Sequence, residues 1–260
     1  MAVRGTVKAA STAAASRLEG KDRKMATDLQ LKGRDAKMNV NVHRLIVSHR
    51  SNAALEAPLE PLEEAAMIDA VARKLSDVLD ILRIDHRNDH NTRDTPTRVA
   101  KMYVCELLRG RFQAPPKITD FENVEDCDQM IVTGPIDVRS TCAHHLMPIY
   151  GHACIGILPA VGGKIIGLSK YDRIVDHFSS RFQIQEELVK QIGNFIIAAT
   201  KPRGLAVRIS AVHMCKTQRG VRAGHESRMV NSAFYGDFLT DERLKLDFQQ
   251  ECRALESHSG

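Results

Sequence analysis

The segment Gly204-Leu205-Ala206-Val207-Arg208-Ile209-Ser210-Ala211-Val212-His213-Met214-Cys215 decides how this chain is read. Leu205, Val207, Ile209 and Ala211 alternate with Arg208 and Ser210, the period of two expected of a strand with one face in a core. Carried to its end, that period puts His213 and Cys215 on one face. A thiol and an imidazole leaving a strand together are metal-ligand chemistry, and a second such group lies upstream, Cys142-Ala143-His144-His145.

Zinc favours tetrahedral sulfur and nitrogen donors, and a catalytic zinc keeps three protein ligands with the fourth position open. Cys142 and His145 make a C-x-x-H chelate and Cys215 supplies a third donor, which leaves His144 and His213 over. A C-x-x-H pair alone is a weak pattern, because free cysteines often serve as small buried hydrophobes. The two groups together carry more weight. A structural zinc calls for a fourth Cys or His close by, whereas three ligands with spare imidazoles favour catalysis. Cys105, Cys127, Cys154 and Cys252 have no histidine at chelating spacing and read as core residues.

Composition bounds the remainder. A chain of 260 residues holds one good-sized core or two small ones, and its six irregularly spaced cysteines do not form a disulfide framework. A reducing, cytoplasmic setting is expected. No apolar run approaches the roughly 20 residues that span a bilayer, so a membrane role is not expected. The net charge of +5 is localised: residues 1–60 carry eleven Lys/Arg against six Asp/Glu, and the other two hundred residues are balanced. That first segment lacks apolar periodicity and reads as a disordered basic extension over residues 1–57. Glu19, Asp22, Asp28 and Asp35 interrupt its basic run, against a nucleic-acid arm, and no secretory apolar core follows. A targeting peptide, or a true start at Met25 or Met38, stays open.

Order is expected from Pro58. Ile68, Val71, Leu75, Val78, Leu79 and Leu82 recur at helical spacing. Asp94 or Thr95 caps a second helix with Pro96 in its first turn, running through Leu107 to a stop at Gly110. Strands are expected at 130–132, 136–139 and 149–158, a turn at Gly162-Gly163, and a short helix from Gly167-Leu168-Ser169-Lys170. A longer helix carries Ile184, Leu188, Ile192, Phe195 and Ala199, ending before Pro202 and Gly204. The strand of the opening segment, a strand over 229–238 and a helix from Asp241 complete the chain. Helices first, then strands interrupted by a helix pair, give α+β with an antiparallel sheet in one domain, residues 58–252, and a tail at 253–260.

Asp94-Thr95-Pro96-Thr97-Arg98-Val99-Ala100-Lys101-Met102-Tyr103, Cys142 to His145, Gly167 to Lys170 with Arg173, Gln183-Ile184-Gln185-Glu186, and His213-Met214-Cys215 through Arg219-Gly220 follow one another in the order of the GTP cyclohydrolase I family. The chain resembles that family from about residue 62 to 250. The resemblance implies a tunnelling fold, an antiparallel sheet backed by two antiparallel helices, with an N-terminal helical segment. It implies a homo-oligomer, a decamer in the family, with active sites between subunits. It also implies the family's reaction: the imidazole ring of GTP is opened, formate is released and 7,8-dihydroneopterin triphosphate forms, the first step toward folate, pterin or 7-deazaguanine products.

Bound zinc lowers the pKa of its water toward about 7, which offsets the poor electrophilicity of guanine carbon 8. With Cys142, His145 and Cys215 as ligands, His144 is free to protonate the ring nitrogen and His213 to move protons in the later rearrangement. Glu186, with Gln185 beside it, is expected to accept hydrogen bonds from guanine N1 and its 2-amino group. By resemblance Lys170, Arg173 and Arg219 take the triphosphate, Ser169 touches ribose or phosphate, and Arg98 reaches in from a neighbour. Many members place Glu where this chain has Ala143, so a carboxylate beside the metal group is gone; losses of this kind cost about 10- to 100-fold. The rival reading is a non-catalytic guanine-nucleotide binder, or a relative acting on a pteridine or deazapurine; retention of His144 and His213 argues for the enzyme.

Overall fold

The computed structural model describes residues 50–123 and 126–257. Most of the expected basic extension lies outside those residues. The elements, in chain order, are α1 (Pro61–Ile81), α2 (Thr95–Lys101), a π-helical segment (Met102–Leu107), α3 (Arg109–Phe112), β1 (Asp120–Glu122), β2 (Ile131–Cys142), β3 (Pro148–Leu158), β4 (Lys164–Ile166), α4 (Leu168–Ser179), β5 (Phe182–Gln183), α5 (Gln185–Thr200), β6 (Gly204–His213), α6 (Met214–Thr217), β7 (Arg228–Gly236) and α7 (Glu242–Ser257).

The main sheet has the order β5-β2-β3-β6-β7. Every pairing is antiparallel except the two-residue parallel contact of β5 with β2. This is the expected α+β architecture. One face packs against α4 and α5, where Ile136, Val138, Ile155, Ile174, Leu188 and Ile192 form the main core. Each such side chain contributes about 1.5–3 kcal/mol when fully buried. The other face is partly covered by α7, whose Phe248 and Cys252 join Cys154, Leu158, Ala206 and Phe238 in a second cluster. The inner strand β6 is therefore buried on both faces, although its sequence alternates; Arg208 enters the covered face by pairing with Glu256 of α7.

Several element boundaries differ from expectation, each for a local reason. The strands expected at 130–132 and 136–139 are one strand, β2, whose register against β3 shifts between Thr133 and Ile136. The intervening Gly134-Pro135 explains both readings, since proline has no N–H for the ladder. Gly110 does not stop a helix but lies within α3, where a Cβ would come 1.8 Å from the His177 carbonyl oxygen. Its role is close approach of two backbones. Residues N-terminal to Pro58 already belong to the packed structure. Asn52 is buried, its carbonyl accepts from Arg181 and Gln191, and Leu55 N–H donates to the Arg111 carbonyl. No helix among the described residues is long and apolar enough to cross a membrane.

Candidate metal centre

Cys142 is the last residue of β2 and is buried. The hairpin beyond it is closed by Cys142 N–H to the Met147 carbonyl at 2.8 Å and Leu146 N–H to the Cys142 carbonyl at 2.9 Å, with Leu146 at φ 54°. His144 and His145 stand exposed on that turn. Ala143 contributes its N–H to the Gln183 carbonyl, which ties the turn to β5 at the foot of α5.

The second half of the centre departs from a plain strand. The β6 ladder runs out at the Ile149–His213 pair on one side and at Val212–Arg228 on the other. Backbone groups beyond that point need other partners, and the chain coils at once into α6, where Gln218 N–H reaches the Met214 carbonyl at 2.9 Å. Cys215 thus lies on a helical turn rather than on the same strand face as His213. The outcome is still convergence: ligand atoms of Cys142, His145 and Cys215 all lie within 4.8 Å of one another. Two thiols and an imidazole at this spacing match the soft donor set that a zinc ion takes. Burial, and then the neighbouring Cys142 thiol, push the Cys215 thiol up. A cation between them reverses that cost, since thiolates bind the metal and thiols do not.

His144 Nδ1 lies 3.9 Å from Cys142 Sγ, so this imidazole borders the donor set. Arg219 is also brought in, its Nη1 2.9 Å from His145 Nε2. His213 is half-buried, and burial lowers its pKa; the nearby Glu186 carboxylate opposes the shift. Glu186 itself is exposed in the first turn of α5. Ser169, Lys170 and Arg173 lie near the start of α4, and their side chains enter no ion pair or hydrogen bond among the described residues. Among the described residues they are two cations and a hydroxyl with no side-chain partner. Arg98 pairs instead with Asp94 at 3.3 Å, and no described contact joins it to the Cys/His group.

Gln185 differs from expectation. Its side chain is 1% exposed and fully engaged inside the protein, donating to Ile209, Met229 and Asn231 and facing His213, so it is not placed to read a base. Asn231 had no signal in the sequence beyond lying in a strand. His177 and Arg181 form a buried cluster in which Arg181 donates to the Gly110 and Asn52 carbonyls and to His177 Nε2 at 2.8 Å.

Comparison with known proteins gives a consistent answer. The family model for GTP cyclohydrolase I matches residues 71–253. GTP cyclohydrolase 1 of Erwinia tasmaniensis is 34% identical over 213 residues, covering 82% of this chain and 95% of that protein. GTP cyclohydrolase 1 of an Enterobacter species is 33% identical over 219 residues, covering 84% and 96%. The same-named protein of Salmonella choleraesuis is 33% identical over 213 residues, covering 82% and 94%.

Proposed function

The chain belongs to the GTP cyclohydrolase I family and is a hydrolase of that kind; on that premise we propose that it uses zinc held by Cys142, His145 and Cys215 to convert GTP to formate and 7,8-dihydroneopterin triphosphate. The observation that carries this reading is the meeting of those three side chains, from a hairpin turn and a distant helical turn, within 4.8 Å. When bound, the metal supplies Lewis-acid chemistry and a water acidic enough to attack at neutral pH.

The protein's own groups do the rest. His144, exposed at the rim of the donor set, donates a proton to the imidazole nitrogen of the purine as carbon 8 changes from trigonal to tetrahedral. Glu186 accepts from guanine N1–H and the 2-amino group, a donor pair that adenine does not present. Lys170, Arg173 and Arg219 hold the triphosphate, with Ser169 adding a hydroxyl. Arg219 leaves His145 Nε2 to do so. His213 moves protons during the ribose rearrangement and ring closure. The reading includes a homo-oligomer, a decamer in the family, with Arg98 serving a neighbouring subunit's site. The exposed apolar side chains Val78, Ile81 and Leu82, at and just after the end of α1, accord with a surface that another copy covers.

The test is to incubate zinc-loaded protein with GTP and follow formate together with the fluorescence of oxidised neopterin, with a chelator-treated control. Both products, lost on metal removal, are expected. Formate alone would remove the rearrangement from the proposal, and neither product despite bound zinc would overturn it.

A further inference from the structure

Gln185 opens α5 with its side chain inside the protein. Its Nε2 lies 3.1 Å from the Ile209 carbonyl oxygen, 3.1 Å from the Met229 carbonyl oxygen and 2.7 Å from Asn231 Oδ1. Backbone carbonyls only accept, so the nitrogen end of the amide must face them; turning the amide round would set Oε1 against two oxygens. Oε1 is thereby aimed at His213 Nε2, 2.7 Å away. An amide oxygen has no hydrogen to give, so that ring nitrogen must carry one.

We infer that Gln185, clamped by Asn231 and two strand carbonyls, is a positioning residue that keeps a hydrogen on His213 Nε2 and leaves Nδ1 as the nitrogen that exchanges protons with substrate. The inference rests on the reading of His213 as an acid–base group. It adds which nitrogen reacts and what fixes it. Ile209 and Asn231 are opposed across the β6–β7 ladder, so one amide reads both strands at a single point. The start of α5, β6 and the edge strand β7 are locked to the ring that ends β6. Asn231 Oδ1 is the nearest of the three acceptors and the one that belongs to a side chain. Its contribution is to complete the clamp on an amide that the backbone already orients.

The tautomer is read directly from carbon–nitrogen correlation spectra of the sedimented, zinc-loaded full chain labelled at histidine, with His213→Gln identifying the His213 signals. Nε2–H is expected in the native chain, and a predominant Nδ1–H form would overturn the inference before any further variant is made. In Gln185→Met the two tautomers should mix and kcat should fall about 10- to 100-fold, part of the roughly 10²- to 10⁴-fold that a positioned acid–base group supplies. KM for GTP should stay within about twofold, since the amide contacts no substrate. A tautomer unchanged in Gln185→Met would refute the positioning role. Mixed tautomers with unchanged turnover would instead refute the acid–base reading of His213 on which it depends.

Discussion

Cys215 meets Cys142 and His145 because β6 runs out of ladder partners at His213 and the chain turns into α6. The donor set is thus a product of where a sheet ends. Cys215→Ala should lose the metal, measured as zinc per chain, while far-ultraviolet circular dichroism stays native; a retained equivalent of zinc would remove Cys215 from the set. The meeting of these three side chains was legible because soft donors at chelating spacing are rare. Gln185 was not, because its neighbour Glu186 faces solvent at the same helix start and sequence spacing does not say which of the two turns inward. A second prediction concerns His177, whose pKa burial lowers to about 4, aided by the Arg181 guanidinium that donates to its Nε2. Between about pH 6.5 and 4 the unfolded chain binds the extra proton and the folded chain does not, so stability rises with pH across that window. It is whole above pH 6.5 and falls by up to about 3 kcal/mol toward pH 4. Urea midpoints across this range should flatten in His177→Gln, whose amide oxygen still accepts from Arg181; an unaltered slope would assign the acid sensitivity elsewhere.

At the scale of elements, α7 is held to the sheet by one large contact. Phe248 is wholly buried, its ring 6.0 Å from that of Phe238 and 6.4 Å from that of Phe234, and it covers Gly156 of β3, where a Cβ would come within 2.6 Å of the ring. Phe248→Ala should cost about 3–5 kcal/mol through lost burial and a cavity. Because the contact is in the body of β3 and the donor set lies past the ends of β2 and β6, zinc content should be unchanged at temperatures where the variant is folded. Calorimetry and metal analysis on one sample check both, and loss of zinc with the fold intact would show that α7 also shapes the site. A helix from Asp241 was expected, and the sheet was readable from its alternation. That α7 would cover the second face of β6 was not, since Arg208 reads as a solvent-facing residue until Glu256 is known to lie beside it. Gly110 likewise reads as a helix stop in sequence, and only the packing of α3 against the His177 carbonyl reveals a close approach.

For the whole molecule the open question is where the packed structure starts. Composition places the boundary near Pro58, at the end of the net basic charge. The contacts place part of the working structure earlier. Asn52 gives its carbonyl to Arg181 at 3.0 Å and to Gln191 at 3.2 Å, and its amide donates to Glu187. Arg111 closes the same stretch by donating to the carbonyls of Arg50 at 2.7 Å and Ala53 at 2.8 Å. Polar residues in a charged segment carry no periodicity that would announce such contacts, which explains why the sequence reading passed over them. Arg181 is 5% exposed, and removing an acceptor from a buried donor costs about 1–3 kcal/mol. Deleting residues 1–49 leaves every described contact in place and should leave thermal stability and turnover unchanged. Deleting 1–57 strips Arg181, Arg111, Gln191 and Glu187 of partners together, so it should lower stability by several kcal/mol, about two or three such losses. Glu187 follows Glu186, so the longer deletion should also loosen the first turn of α5, raising KM for GTP more than it alters bound zinc. Equal stability of the two truncated chains would return the boundary to Pro58 and reduce the Asn52 contacts to decoration on a fold that does not need them.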